Sequence, residues 1–259
     1  MSRADDVRRI GEALLRAERA LAPFEPGEIG HRLKEGGDPV TEADLAVNRV
    51  LESLPRDGEG WLSEETVDDA SRLSRSRVWV VDPVDGTREF VAGIPEWCIS
   101  IGLVEDGVAV AGGICSPAAG RTVLGSLETG VALNGEPCRT RPRTSLDGAE
   151  ILASRSEVGR GEWKRFDGAP FRVRPLGSVA YKMALVAAGL ADATWTLVPK
   201  SEWDVAAGTA LVRAAGGSVW TPDGAEPRFN RRAPRFPGLL AAPSGLAGPI
   251  REYLRALDG

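Results

Sequence analysis

Apolar residues recur at three- and four-residue spacing from Val7 through Ile10, Leu14 and Ala17 to Leu21, which predicts an amphipathic first helix. Two prolines and a glycine in "APFEPGE" break that pattern, and "HRLKEGGDPV" follows as a polar, glycine-bearing loop. Thr41 then caps a second predicted helix, "TEADLAVNRVLESL", with Asp44 as the acid of a capping-box variant. From Trp61 the period shortens. "GWLSEE" and "RVWVVD" read as strands that each run into acids. A meander follows at Ile99–Val104, Val108–Ile114, Thr122–Leu127 and Val131–Leu133, joined by turn-formers. The first half therefore predicts two helices on an antiparallel sheet.

The segment "PCRTRPRTSLDGAE" reads as a crossing between an N-terminal lobe, 1–140, and a C-terminal lobe, 141–259. Beyond it strands and helices alternate. Strands are predicted at "EILASRS", "FRVRPLG", "ATWTLV", "SVWTPDG" and "GLLAAP". Helices are predicted at "SVAYKMALVAAGLAD", with Gly189 near its end, at "SEWDVAAGTALVRAAGG", and in the tail "GPIREYLRALDG". The fold class is a layered α+β to α/β arrangement.

Composition narrows the function. The 259 residues are 42% hydrophobic and 27% charged, and no apolar run approaches the roughly 20 residues that span a bilayer. The start "MSRADDVRRI" lacks the apolar core of a signal peptide, so the expectation is a cytoplasmic protein without a membrane partner. A net charge of −5, spread along the chain, argues against a nucleic-acid partner and leaves room for a small phosphorylated ligand beside a bound cation. Cys98, Cys115 and Cys138 fit neither a disulfide framework nor a zinc site, and His31 is the single histidine.

The chemistry sits in "VWVVDPVDGTREF". Pro83 fixes its φ and Gly86 permits a left-handed turn, so Asp82 to Gly86 is a stiff corner, and by itself an ordinary β-turn. Glu64 and Glu65 end the preceding strand, Asp44 opens the second helix and Asp204 opens a later one. Oxygen-only acids at several strand and helix ends match a site for a hard cation such as Mg²⁺. Two metals sharing Asp82 would relieve the repulsion among them.

These residues resemble the inositol monophosphatase superfamily of metal-dependent, lithium-sensitive phosphatases. The matching blocks are "KEGGDPVTEAD" at 34–44, "LSEE" at 62–65, "DPVDGT" at 82–87 and "WDVAAG" at 203–208. The resemblance implies an αβαβα sandwich of the sugar-phosphatase type and two or three Mg²⁺ ions, with inhibition by Li⁺. Glu64, Asp82 and the Val84 carbonyl would hold the first metal; Asp82, Asp85 and Asp204 would hold the second. Glu65 would bind or orient a metal-bound water, and Thr87, hydrogen-bonded to Asp44, would activate the attacking water. Gly86 and Thr87 N–H groups would cradle the phosphate. The loop from His31 to Val40, with Lys34, would close over the site and help hold a third cation.

"DGTREF", "LASRSE" and "GSVAYK" look most like the bacterial 3′(2′),5′-bisphosphate nucleotidase branch, which removes the 3′-phosphate of 3′-phosphoadenosine 5′-phosphate. Inositol-specific members carry a glutamate about seven residues before the W-D aspartate, where this chain has Leu197. Ser154, Ser156, Ser178 and Lys182 are then candidates for the non-reacting 5′-phosphate, although Lys182 also fits a solvated helix face and the serines a helix cap. Inositol 1-phosphate and fructose 1,6-bisphosphate remain alternative substrates. The D-x-x-D spacing disfavours the D-x-D-G-T mechanism of haloacid-dehalogenase phosphatases. A non-catalytic phosphate sensor would have lost one of Asp44, Glu64, Asp82, Asp85, Thr87 or Asp204, and all are present. Homodimers are common in the resembling family, and "IPEWCISIGLV" would serve as an interface strand or equally as core. Trp195, Trp203 and Trp220 are the aromatics near the second lobe's sheet, and nothing in the sequence selects one to face a base.

Overall fold

Helix α1 (Arg3–Leu21) starts where the Ser2 hydroxyl accepts the Asp5 N–H, and it buries Ile10, Ala13, Leu14, Ala17 and Leu21. The computed structural model describes residues 2–34 and 37–258. Where a loop was expected, β1 (His31–Leu33) and β2 (Pro39–Thr41) form a short antiparallel hairpin. The loop expected to help hold a third cation includes Glu35 and Gly36, which lie outside the described residues. Helix α2 (Glu42–Leu51) opens on the predicted capping box, with Asp44 accepting the Thr41 N–H at 2.8 Å.

Strands β3 (Gly60–Ser63) and β4 (Arg77–Asp85) run parallel, which corrects the expected all-antiparallel lobe. The sequence pattern signals strands but not their direction, and the crossover through 64–76 supplies the reversal a tight turn cannot. After the short helix α3 (Thr87–Val91), an antiparallel meander comprises β5 (Cys98–Glu105), β6 (Val108–Ser116), β7 (Arg121–Ser126), β8 (Gly130–Leu133) and β9 (Glu136–Cys138). Strand β5 is paired on both edges and buried at all but its last residue, so "CISIGLV" is core and not an interface strand.

Residues 139–149 carry the chain to a second, five-stranded sheet. Its elements begin with β10 (Glu150–Ser154), α4 (Arg155–Gly159), β11 (Arg172–Leu176), α5 (Val179–Ala187) and β12 (Ala193–Thr196). There follow β13 (Lys200–Ser201), α6 (Glu202–Ala214), β14 (Gly217–Trp220), β15 (Arg235–Phe236), β16 (Leu239–Pro243) and α7 (Ser244–Asp258). The sheet order is β11-β10-β12-β16-β14, and β13 and β15 make a separate ribbon.

The layers run helix, sheet, helix, sheet, helix. Alternation along β4 shows why: Val78 and Val80 join the apolar cluster around α5 and α6, while Trp79 and Val81 join the one beneath α1 and α2. A third cluster packs α7 on the outer face of the second sheet. Helix α6 lies flush on the first sheet at Gly102 and Gly112. A Cβ on Gly112 would sit 2.6 Å from the Ala207 carbonyl oxygen, so only glycine permits this approach. The α6 N-terminus is thereby fixed at the sheet's end.

Candidate active site

Strand alternation delivers the first acids. Leu62 and Val80 are partners across β3 and β4 and face the central layer; Glu64 and Asp82, two residues further along each strand, share that face. Asp85 lies three residues beyond Asp82, so a regular strand would aim it at the opposite face. Instead the register shifts between them: Asp82 pairs with Ser100 and Asp85 with Cys98, leaving one extra residue in β4. Pro83, which has no N–H for the ladder, sits in this bulge. Both aspartates therefore line one cavity of about 630 Å³.

Asp204 reaches the same cavity from the first turn of α6, where its carboxylate accepts the Ser201 N–H at 2.9 Å. One oxygen from each of Glu64, Asp82 and Asp204 lies within 4.8 Å of the others, and no other such grouping occurs among the described residues. Asp85 is not part of that tight trio. Its Oδ2 is held by the Ser178 hydroxyl at 2.6 Å and the Ala180 N–H at 2.5 Å, at the start of α5. Ser178 adopts a φ of 53°, a conformation that non-glycine residues seldom adopt, in making this contact.

Thr87 and Asp44 meet as expected. The Thr87 hydroxyl is 2.9 Å from Asp44 Oδ1 and 2.9 Å from the Val84 carbonyl oxygen, so its one proton has two competing acceptors. Asp44 stands behind Thr87, buried. Gly86 precedes α3 with a φ of 100°, and a Cβ there would lie 2.9 Å from the Glu96 carbonyl oxygen. Lys34 Nζ bridges Glu64 Oε1 at 2.7 Å and Glu65 Oε1 at 2.5 Å. Lys34 borders the cavity, whereas Glu65 does not line it and stands behind that ammonium.

The substrate side holds the larger surprises. Ser154 and Ser156 line the cavity with their hydroxyls 3.0 Å apart, and Ser154 makes no side-chain cap to α4. Lys182 departs from both expectations. It is buried, not solvated, and Nζ donates to the carbonyls of Ser178 at 2.7 Å, Leu176 at 3.2 Å and Gly177 at 3.5 Å. It also lines the cavity, but its hydrogen bonds are directed at the turn between β11 and α5. Burial pushes its pKa down to about 8, against the pull of Asp85.

Charged lining residues that were not foreseen include Arg88, Glu89, Lys200 and Arg235. Glu89 offers a carboxylate whose pKa is raised by burial and then by the charge of Asp85. Lys200 and Arg235 bring positive charge from the β13–β15 ribbon. Arg88 and Glu89 stand in the quoted "DGTREF" and Lys200 just precedes "SEWDVAAG", but no periodicity says that they face the acids. Trp203 lines the cavity, whereas Trp195 and Trp220 are almost fully buried in the outer cluster.

Burial is the main force on the acids. It raises the pKa of Asp82 well above the ordinary carboxylate range, with Glu64, Asp85 and Asp204 adding repulsion. Asp204 is raised likewise, with Asp85 and Glu64 adding to burial. Burial also raises Glu64, against the opposing Lys34 ammonium, and Asp85, against Ser178 and the Ala180 N–H. Glu65 is pushed up to about 6 by burial, with Lys34 opposing. Asp44 is raised by burial despite its bonds to Thr41 and Thr87. A crowded set of hard oxygen donors whose ionised form is disfavoured until a cation neutralises it suits Mg²⁺.

Such a site belongs to the class of metal-dependent phosphomonoester hydrolases. The family model described as "Inositol monophosphatase family" matches residues 5–256, and the chain belongs to that family. The inositol-1-monophosphatase of Mesorhizobium japonicum is 34% identical over 239 residues, covering 87% of this chain and 89% of that protein. The solved inositol monophosphatase from Anabaena (Nostoc) sp. PCC 7120 is similar with a TM-score of 0.80 at 25% identity, covering 98% of this chain and 96% of that one. CysQ from Bacteroides thetaiotaomicron, a bacterial member of the same family, is similar with a TM-score of 0.76 at 26% identity, covering 93% and 97%. No helix among the described residues is long and apolar enough to cross a membrane.

Proposed function

We propose that the chain hydrolyses a phosphomonoester carrying a second anionic group, with 3′-phosphoadenosine 5′-phosphate the best-fitting substrate. One observation carries the reading: a single cavity joins the acids Glu64, Asp82, Asp85 and Asp204 to the cations Lys200 and Arg235. Glu64, Asp82, Asp85, Asp204 and the Val84 carbonyl would hold two Mg²⁺ ions. When bound, those ions supply neutralisation of the phosphoryl group and lower the pKa of water.

The chain's own groups do the rest. Thr87 Oγ1 receives a proton from the attacking water as its own proton passes to Asp44 Oδ1, 2.9 Å away. The raised pKa of Asp44 makes it a stronger base than an exposed aspartate. The N–H groups of Gly86 and Thr87 orient the phosphate oxygens. The Ser154 and Ser156 hydroxyls and Trp203 line the path a nucleoside would follow.

A second reading, a polyol phosphate such as inositol 1-phosphate, is favoured by Glu89, whose carboxylate is placed to accept a hydroxyl proton. Leu197 supplies no such acceptor, for it borders a different cavity with Trp220 and Arg251. Phosphate release with Mg²⁺ from 3′-phosphoadenosine 5′-phosphate, inositol 1-phosphate and fructose 1,6-bisphosphate tests the reading. Preference for the nucleotide supports it; preference for a sugar or inositol phosphate replaces the substrate; no release from any of them overturns it.

A further inference from the structure

Lys182 was the cation expected to bind the substrate's second phosphate; it lines the cavity, but its ammonium is held by backbone carbonyls. Lys200 is different. It lies on β13, opposite Phe236 of the ribbon, and lines the cavity directly. Its ammonium has one ionic partner among the described residues, Glu157 Oε1 at 3.5 Å, and no hydrogen-bond partner there.

Glu157 is itself locked. It is almost fully buried, accepts the Thr196 hydroxyl at 2.6 Å and accepts the Trp163 indole N–H at 3.3 Å. A free lysine would spread over many rotamers and lose entropy on meeting a ligand; one tethered to a rigid carboxylate loses less. The tether leaves protons of Nζ available to the cavity. The Arg235 guanidinium, with no ionic or hydrogen-bonding partner among the described residues, stands beside Lys200 at the rim.

We infer that Lys200, aimed by Glu157 and seconded by Arg235, is the specificity residue that grips the non-reacting anionic group of a doubly phosphorylated substrate. Lys182 is then a positioning residue, bracing the 176–178 turn whose Ser178 holds Asp85. This inference rests on the phosphatase reading of the site but not on the nucleotide as substrate.

Matched pairs separate the two claims: 3′-phosphoadenosine 5′-phosphate against adenosine 3′-monophosphate, and fructose 1,6-bisphosphate against fructose 1-phosphate. Lys200→Met should raise KM for the bisphosphate of a pair about tenfold more than for its monophosphate, with the effect in KM and not in kcat. Lys200→Arg should restore most of that difference. A split in the fructose pair alone would remove the nucleotide reading and keep Lys200. Equal shifts within every pair that is turned over would overturn the inference. So would calorimetry, in Mg²⁺, showing that neither bisphosphate binds the wild-type protein or that Lys200→Met binds them as tightly.

Discussion

The Thr87 hydroxyl lies 2.9 Å from Asp44 Oδ1, joining α3 to the capped first turn of α2. The same carboxylate therefore closes a helix and, in the proposed mechanism, would receive a proton. Asp44→Asn keeps a cap acceptor but removes the base. It should lower kcat about 10²- to 10⁴-fold while lowering stability by only about 1 kcal/mol. Steady-state kinetics beside thermal unfolding would check both, and an equal loss in each would assign Asp44 a structural role alone.

The acids should couple metal to pH. Asp82 and Asp204 have folded pKa values raised above the ordinary 3.8, so the folded protein holds their protons more tightly than the unfolded chain. Such groups remove stability as pH rises above that value. Bound Mg²⁺ would offset both the burial of these charges and the repulsion among them. Mg²⁺ should thus raise Tm more at about pH 7.5 than at about pH 5, and EDTA should reverse the gain. A gain independent of pH would contradict the electrostatic account.

Glu59 carries the opposite sign. Burial works against its charge, but Arg9 and the Trp79 indole outweigh that and hold its pKa at about 2. Arg9 Nη2 lies 2.8 Å from its Oε2, and Arg77 joins from the other side. A lowered carboxyl stabilises the fold above its unfolded value of 4.5, and that contribution is lost as pH falls toward 2. Glu59→Gln should cost about 3 kcal/mol at neutral pH. The gap between variant and wild type should close in acid denaturation curves.

Gly86 is constrained twice, by a φ of 100° and by the Glu96 carbonyl oxygen 2.9 Å from any added Cβ. Gly86→Ala should destabilise by about 2 kcal/mol and displace the N–H of Thr87, lowering kcat for every substrate alike. Unchanged urea unfolding and unchanged kcat would show the corner to be tolerant.

The central apolar cluster takes Leu62, Val80 and Ile114 from the stretch expected as one lobe, 1–140, and Leu152, Ala184 and Ala241 from the stretch expected as the other, 141–259. Heat or denaturant should therefore unfold both in one cooperative transition. Two resolved calorimetric peaks would show them to be independent units.

The helices, most strands and the acids that matter were readable because each depends on nearby residues. Thr41 and Asp44 cap α2 within one turn. Apolar runs break at glycine and proline, and Asp82 to Gly86 is rigid through its own backbone. What tertiary structure decided is what depends on partners remote in the chain. A spacing of three between Asp82 and Asp85 says "opposite faces" until the bulge against β5 returns both to one cavity. A lysine four residues after a helix-capping serine says "solvated face" until the turn before α5 folds three carbonyls around Nζ. Lys200 is silent until Glu157, 43 residues earlier, meets its ammonium at 3.5 Å. Local order follows from torsions and short hydrogen bonds, which a few residues specify; the position of a charge in a cavity follows from which distant surfaces pack against it.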